Sequence, residues 1–183
     1  QKKYIDLLPD YPGITYLAGA AQLGDGGVSV DDERIKAPKI IIATGGRPAV
    51  PAIPGIEKVQ YLTSTTALEL TEQPRSLMVI GGGYIGCELA QMFARIGTKV
   101  TLVTRSHLLP GAEPEISDAL ARFLADEGIV VRTGLAYREI RQSDDGVLLT
   151  IETANGIETL PAERVLLTTG RTPNTAGLGL EET

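Results

Sequence analysis

Three glycines and one arginine carry the most specific chemistry in this sequence. Gly81, Gly83 and Gly86 fall on a G-x-G-x-x-G spacing inside MVIGGGYIGCELAQMFARIGTKVTLVTRS (78–106), and Arg105 stands near the far end of the same stretch. On that spacing the first glycine permits a tight turn, the second lets backbone touch a pyrophosphate, and the third lets a helix pack closely on a strand. The N-terminus of the helix that follows the turn offers free N–H groups and the positive end of its dipole to phosphate. Arg105 adds a guanidinium, suited to paired, charge-assisted hydrogen bonds with a further phosphate. An acid at the end of the second strand would instead take ribose hydroxyls and repel that phosphate; neutral Thr104 occupies the place.

Positioning these residues takes a strand, a turn, a helix and a second strand. Residues 77–80 are a short apolar run that reads as a buried strand. Ile85, Leu89, Met92 with Phe93, and Ile96 recur at helical spacing, and Gly97 supplies a left-handed stop. Residues 99–104 are rich in β-branched side chains and form the second strand. Pro114 between Glu113 and Glu115 opens another helix, with Ile116, Leu120, Phe123 and Leu124 as its expected buried stripe. Gly128 ends it, and residues 129–132 give a third strand.

Beyond that point the period changes. Residues 137–141, 147–152 and 157–160 alternate, separated by Asp145-Gly146 and Asn155-Gly156, which are strong hairpin signals. An antiparallel meander follows, and then a strand over 164–168. That last segment has an echo: VLLTTGRTPN (165–174) matches IIIATGGRPA (41–50) in its apolar run, Thr-Gly turn, arginine and proline. Upstream of the first copy, residues 14–17, 22–23 and 28–30 read as meander strands, with a turn at Asp25-Gly26-Gly27, and residues 39–43 as an apolar strand. The two halves therefore read as copies of one dinucleotide-binding plan, closing at Gly45 and Gly170. Gly81 precedes Gly170 by more positions than precede Gly45, so the first copy has no glycine turn of its own. The chain is expected to be a portion of a longer protein.

Composition narrows the partners. A net charge of −6 and a sequence pI near 4.9 disfavour nucleic acid and anionic membranes. No apolar run approaches membrane-spanning length. A single cysteine, Cys87, excludes an internal disulfide framework and fits a reducing, cytoplasmic setting. No cluster of metal-ligating residues is expected.

The linked motifs ATGGRP (43–48), GGGYIGCE (81–88) and TTGRTPN (168–174) resemble those of the flavoprotein pyridine nucleotide-disulfide oxidoreductases, and the resemblance covers essentially the whole chain. It implies an α/β fold: a Rossmann-like domain with a parallel sheet and an antiparallel meander, flanked by part of a FAD-binding domain. Residues 1–70 would be the C-terminal part of that FAD domain, 71–170 the NAD(P)H domain, and 171–183 a return towards the FAD domain. By the same resemblance, NAD(P)H would be held by Gly81, Gly82, Gly83, Tyr84, Ile85, Gly86, Glu88, Thr104, Arg105, Ser106 and Gly170, and FAD by Ala43, Thr44 and Gly45. Tyr84 would cover the flavin face until nicotinamide displaces it, and Glu88 would lie near the carboxamide. The family's redox cysteine pair lies upstream, so these residues alone are expected to be inactive, and the full-length protein to be a homodimer.

Within the family, Arg105 after a neutral Thr104 favours NADPH, with NADH as the alternative. Gly111 stands where glutathione reductases usually place a second arginine. YLTSTTALEL (61–70), QMFARIGTKVTL (91–102) and TTGRTPNT (168–175) look closest to mercuric reductases. That implies hydride transfer from NADPH through FAD to a cysteine pair, and reduction of Hg(II) to Hg(0). A dihydrolipoamide dehydrogenase or glutathione reductase-like enzyme acting on a disulfide, and a stand-alone NAD(P)H-sensing module, are the alternatives. Cys87 matches no family thiol and reads as a small buried hydrophobe; His107 reads as a surface loop residue.

Overall fold

The computed structural model describes residues 6–180, which fall into two compact units, Gly46–Thr172 and a smaller one formed by the described residues on either side of it, 6–45 with 173–180. In the smaller unit, β1 (Ala21–Gly24), β2 (Gly27–Val30) and β3 (Glu33–Ile35) form an antiparallel meander. Asp25 and Gly26 turn the first hairpin with φ of 45° and 73°, the left-handed pair that matches strand twist. Two expected strands are absent. Residues 14–17 form no ladder, and β3 supplies the third meander strand instead. Residues 39–43 also form none among the described residues, and Ile41 is 91% exposed. An apolar β-branched run becomes a strand only where neighbours complete its backbone hydrogen bonds.

The larger unit contains β4 (Gly46–Pro48), β5 (Tyr61–Leu62), α1 (Ser64–Leu68), β6 (Ser76–Ile80), α2 (Tyr84–Arg95), β7 (Lys99–Val103), α3 (Pro114–Asp126) and β8 (Val130–Arg132). There follow β9 (Ala136–Ser143), β10 (Gly146–Thr153), β11 (Gly156–Ala162) and β12 (Arg164–Leu167). β4 pairs with the part of β13 (Arg171–Pro173) that lies in this unit. The main sheet is parallel throughout, in the order β5-β12-β6-β7-β8. The meander β9-β10-β11 is antiparallel, as its Asp-Gly and Asn-Gly turns predict.

Strand alternation builds two cores, one on each face of the sheet. From β6, Leu77 and Val79 pack on Cys87, Ala90 and Phe93 of α2, while Met78 and Ile80 pack on Ile140, Leu149 and Ile151 of the meander. Every buried hydrophobic side chain among the described residues lies at Ile53 or beyond.

The helices form where expected but present different faces. In α2 the buried residues are Gly86, Cys87, Ala90 and Phe93, whereas Ile85 and Ile96 are exposed. In α3 Leu124 is buried and Leu120 packs at the edge of the core; Ile116 and Phe123 are exposed, and Ser117 is buried in their stead. Its hydroxyl donates to the Leu108 carbonyl, which satisfies it there. Small residues in α2 let that helix approach β6 closely, so they, and not the bulkier isoleucines, decide its inward phase. Gly97 and Gly128 end the two helices at φ of 100° and 81°. No helix of the described residues is long and apolar enough to cross a membrane.

Candidate functional site: a cavity at the strand ends

In a parallel sheet the carboxyl ends of the strands, with the turns that follow them, are where ligands bind. Here a cavity of about 540 Å³ opens at the ends of β12, β6 and β7. It is lined by Gly81, Gly82, Gly83, Tyr84 and Ile85 after β6, by Thr104, Arg105 and Ser106 after β7, and by Gly170 beyond β12. Nine of the eleven residues singled out for NAD(P)H thus meet at one cavity. The other two do not line it: Gly86 is buried beneath the turn, and Glu88 is exposed on α2. All the charged side chains of the lining are arginines, Arg105 and Arg171, on a chain of net charge −6.

Each glycine of the turn meets a different demand. Gly81 has φ 115°, and a Cβ there would stand 2.5 Å from the Thr168 carbonyl oxygen. A Cβ on Gly82 would stand 2.9 Å from Leu108 Cδ2, and one on Gly86 would stand 2.0 Å from the Gly81 oxygen. Gly83 differs. Its φ of −79° and ψ of −177° suit any residue, and an added Cβ would meet no protein atom within 4 Å. Packing explains three of these glycines and does not explain Gly83, which lines the open cavity.

The carbonyls of the turn are engaged in sequence. The Gly81 oxygen accepts from the Thr168 hydroxyl at 2.9 Å, the Gly82 oxygen from the Leu109 N–H at 2.7 Å, and the Gly83 oxygen from the Cys87 N–H at 3.0 Å. A planar trans peptide points its N–H away from its own carbonyl. The N–H groups of Gly82, Gly83 and Tyr84 therefore face away from these partners, at the start of α2, where helical N–H groups have no intrahelical acceptor. This arrangement can hold an anion.

After β7 the chemistry passes to side chains. Thr104 is buried and its N–H donates to the Arg132 carbonyl at 2.9 Å. Arg105 is exposed, and its guanidinium has no hydrogen-bond or ion-pair partner among the described residues. Ser106 is exposed beside it. His107 does not line the cavity; its Nδ1 lies 3.0 Å from the Leu108 oxygen and 3.1 Å from Ser117 Oγ. Tyr84 stands at the first residue of α2 with 69% of its surface exposed.

Sequence reasoning did not find the rest of the wall. Residues 48–53 form one side, and Thr168, Thr169 and Arg171 extend the contribution of β12. The latter three belong to the TTGR motif, so their place beside Gly81 follows once β12 is known to neighbour β6. Tyr137 came from no motif. Its hydroxyl donates to the Val103 carbonyl at 3.1 Å, and burial pushes the phenol up to about 12 although the Arg105 charge acts the other way. Ala43, Thr44 and Gly45 lie in the smaller unit, where the Thr44 oxygen accepts from Asn174 Nδ2 at 3.1 Å and the Gly45 oxygen from the Asn174 N–H at 3.0 Å.

Comparison with known proteins agrees with this geometry. Residues 1–183 match the family described as Pyridine nucleotide-disulphide oxidoreductase. A mercuric reductase of Staphylococcus aureus is 44% identical over 99% of this chain and 33% of its own length. A dihydrolipoamide dehydrogenase of Chaetomium thermophilum is 37% identical over 98% of this chain and 38% of its own. Among solved structures, the HOCl-induced flavoprotein disulfide reductase RclA from Escherichia coli superposes with a TM-score of 0.81 at 32% identity, over 100% of this chain and 42% of that one. The chain spans about a third of the length of the curated relatives it matches. With the glycine turn, the meander and the match over its whole length, the chain belongs to the pyridine nucleotide-disulphide oxidoreductase family.

Proposed function

We propose that the cavity binds NADPH and that the chain is the nicotinamide-nucleotide-binding portion of a FAD-dependent reductase of the mercuric reductase type. The observation that carries the reading is Gly83, a glycine that no protein contact requires, in the same cavity lining as Arg105, an arginine without a hydrogen-bond or ion-pair partner among the described residues. The N–H groups of Gly82, Gly83 and Tyr84 would receive the pyrophosphate. Arg105 and Ser106 would receive the 2′-phosphate that separates NADPH from NADH. Tyr84 and Ile85 would border the nicotinamide end with Gly170, and Glu88, one helical turn beyond Tyr84, would stand near the carboxamide. Gly86 would act from below, by letting α2 approach β6. Ala43, Thr44 and Gly45 would serve FAD.

The bound nicotinamide would supply a hydride to the flavin, and the electrons would go on to a cysteine pair elsewhere in the longer protein. In that scheme residues 1–70 are the closing part of a FAD domain, 71–170 the NADPH domain and 171–183 the return. Hg(II) as final acceptor, reduced to Hg(0), is supported by the mercuric reductases of several organisms among the relatives. A disulfide acceptor is the second reading, supported by the dihydrolipoamide dehydrogenase and by the disulfide reductase RclA. The test is equilibrium titration of this chain with NADPH and NADH at fixed low salt. Saturable binding of both, tighter for NADPH, is expected; binding of neither, or a preference for NADH, overturns the NADPH assignment.

A further inference from the structure

Thr168 follows β12 at the point where that strand meets the glycine turn. Its N–H donates to the Ile80 carbonyl at 2.8 Å, while its hydroxyl lies 3.0 Å from the same oxygen and 2.9 Å from the Gly81 oxygen. We propose that Thr168 is a positioning residue for the pyrophosphate: its hydroxyl holds the peptide joining Gly81 to Gly82 in the one orientation that turns the Gly82 N–H to the cavity. The inference rests on the reading of that cavity as a nucleotide site.

The peptide in question lies between two glycines, so rotation of its plane meets little of the side-chain resistance that would fix it elsewhere. Its carbonyl is pressed beneath α2, where a Cβ on Gly86 would come within 2.0 Å of it. Deprived of a donor there, a buried carbonyl gains by rotating towards another donor or water. Because the peptide is planar, that rotation carries the Gly82 N–H out of the site. The Gly82 carbonyl, held by the Leu109 N–H, fixes only the next peptide. The hydroxyl of Thr168 therefore acts on one donor of the anion site and touches none of the atoms that read the 2′-phosphate.

The experiment uses Thr168→Ala, since valine would set a methyl against the Gly81 oxygen, with Thr168→Ser as the conservative restoration. NADPH, NADH and adenosine 2′-monophosphate are titrated against each variant of this 183-residue chain. Thr168→Ala should weaken both dinucleotides by the same factor, roughly 3- to 10-fold. Adenosine 2′-monophosphate, which engages the Arg105 side alone, should bind as to wild type, and Thr168→Ser should restore both dinucleotides. Unchanged dinucleotide affinity, or an equal loss for adenosine 2′-monophosphate, overturns the assignment. Should Thr168→Ala not fold, the wild-type Gly82 amide proton serves: a downfield shift on saturation with NADH supports the proposal, and an unmoved resonance overturns it. A wild type that binds neither dinucleotide removes the nucleotide reading itself, an outcome distinct from a binding wild type with an indifferent Thr168→Ala.

Discussion

The two sides of the cavity are built on opposite terms. At the glycine turn, residues 81–83, the site is backbone: three successive carbonyls are engaged, and a side chain at Gly81, or at Gly86 beneath it, would come within 2.5 Å or 2.0 Å of main-chain oxygen. At residues 104–106 it is side chain: Arg105 and Ser106 are exposed, and the Arg105 guanidinium has no hydrogen-bond or ion-pair partner among the described residues. Gly81 and Gly86 cannot take a side chain without displacing the main chain packed around them, whereas the exposed Arg105 and Ser106 can be replaced. On the proposed reading, the fold would secure what all dinucleotides share, the pyrophosphate, and would leave their distinguishing phosphate to an exposed side chain.

The sharpest way to break that contrast is to load the two sides equally. Gly86→Ala should cost about 2–3 kcal/mol of stability, because its Cβ meets main chain that cannot swing aside. Urea unfolding would show it, and a variant as stable as wild type would mean the turn is looser than described. Arg105→Ala should leave urea stability within about 0.5 kcal/mol. It should nevertheless weaken NADPH by roughly 10- to 100-fold and hardly touch NADH. If calorimetry returned an unchanged NADPH/NADH ratio, the division of labour between the two sides would fail. Gly83→Ala crosses the two categories, being a turn residue with no packing role. Both cofactors should weaken by about tenfold at unchanged stability; loss of stability instead would place Gly83 with its neighbours.

The smallest effect concerns one neutral group beneath each side. Cys87, whose Sγ lies 3.7 Å from the Gly82 oxygen, is raised from 9.0 to about 11 by burial and secondarily by the Glu88 charge. Tyr137, under the strand end, is raised from 10.0 to about 12 by burial. Each acid stays neutral in the folded chain at a pH where the unfolded chain ionises it. Their contribution is intact below pH 9.0 and is lost as pH rises through about 11 for the thiol and about 12 for the phenol. Unfolding titrations of Cys87→Ala and Tyr137→Phe should each remove part of that alkaline decline, and a decline that survives both would assign it to other groups.

What could be read from the sequence was what local sterics dictate. Gly81 and Gly86 are glycines because of contacts within the strand-turn-helix unit and the strand beside it, so their spacing announced the turn. The hairpin turns at Asp145 and Asn155 were legible for the same reason, their backbone demands being contained in two residues. Helical period was legible but phase was not: α2 has two apolar stripes, and contact with β6 selects Cys87 and Ala90 over Ile85 and Ile96. The paired motifs make the point most directly. Val165 and Leu166 form a central strand between β5 and β6, fully buried, while the similar run at 40–42 forms no strand and is exposed. The difference between these runs is supplied by neighbours, which a local pattern does not contain. Tyr137 and residues 48–53 were missed on the same ground, since only tertiary structure brings them to the cavity.

The burial of Cys87 has a practical consequence. A protonated thiol with 6% of its surface exposed reacts slowly with alkylating reagents at neutral pH, whereas the same thiol in an opened chain reacts freely. It is also the chain's only cysteine, so each molecule can be labelled once. The rate of labelling then counts the excursions in which α2 lifts from β6, the same contact that shapes the glycine turn. The protein carries its own clock for the opening of its cavity floor.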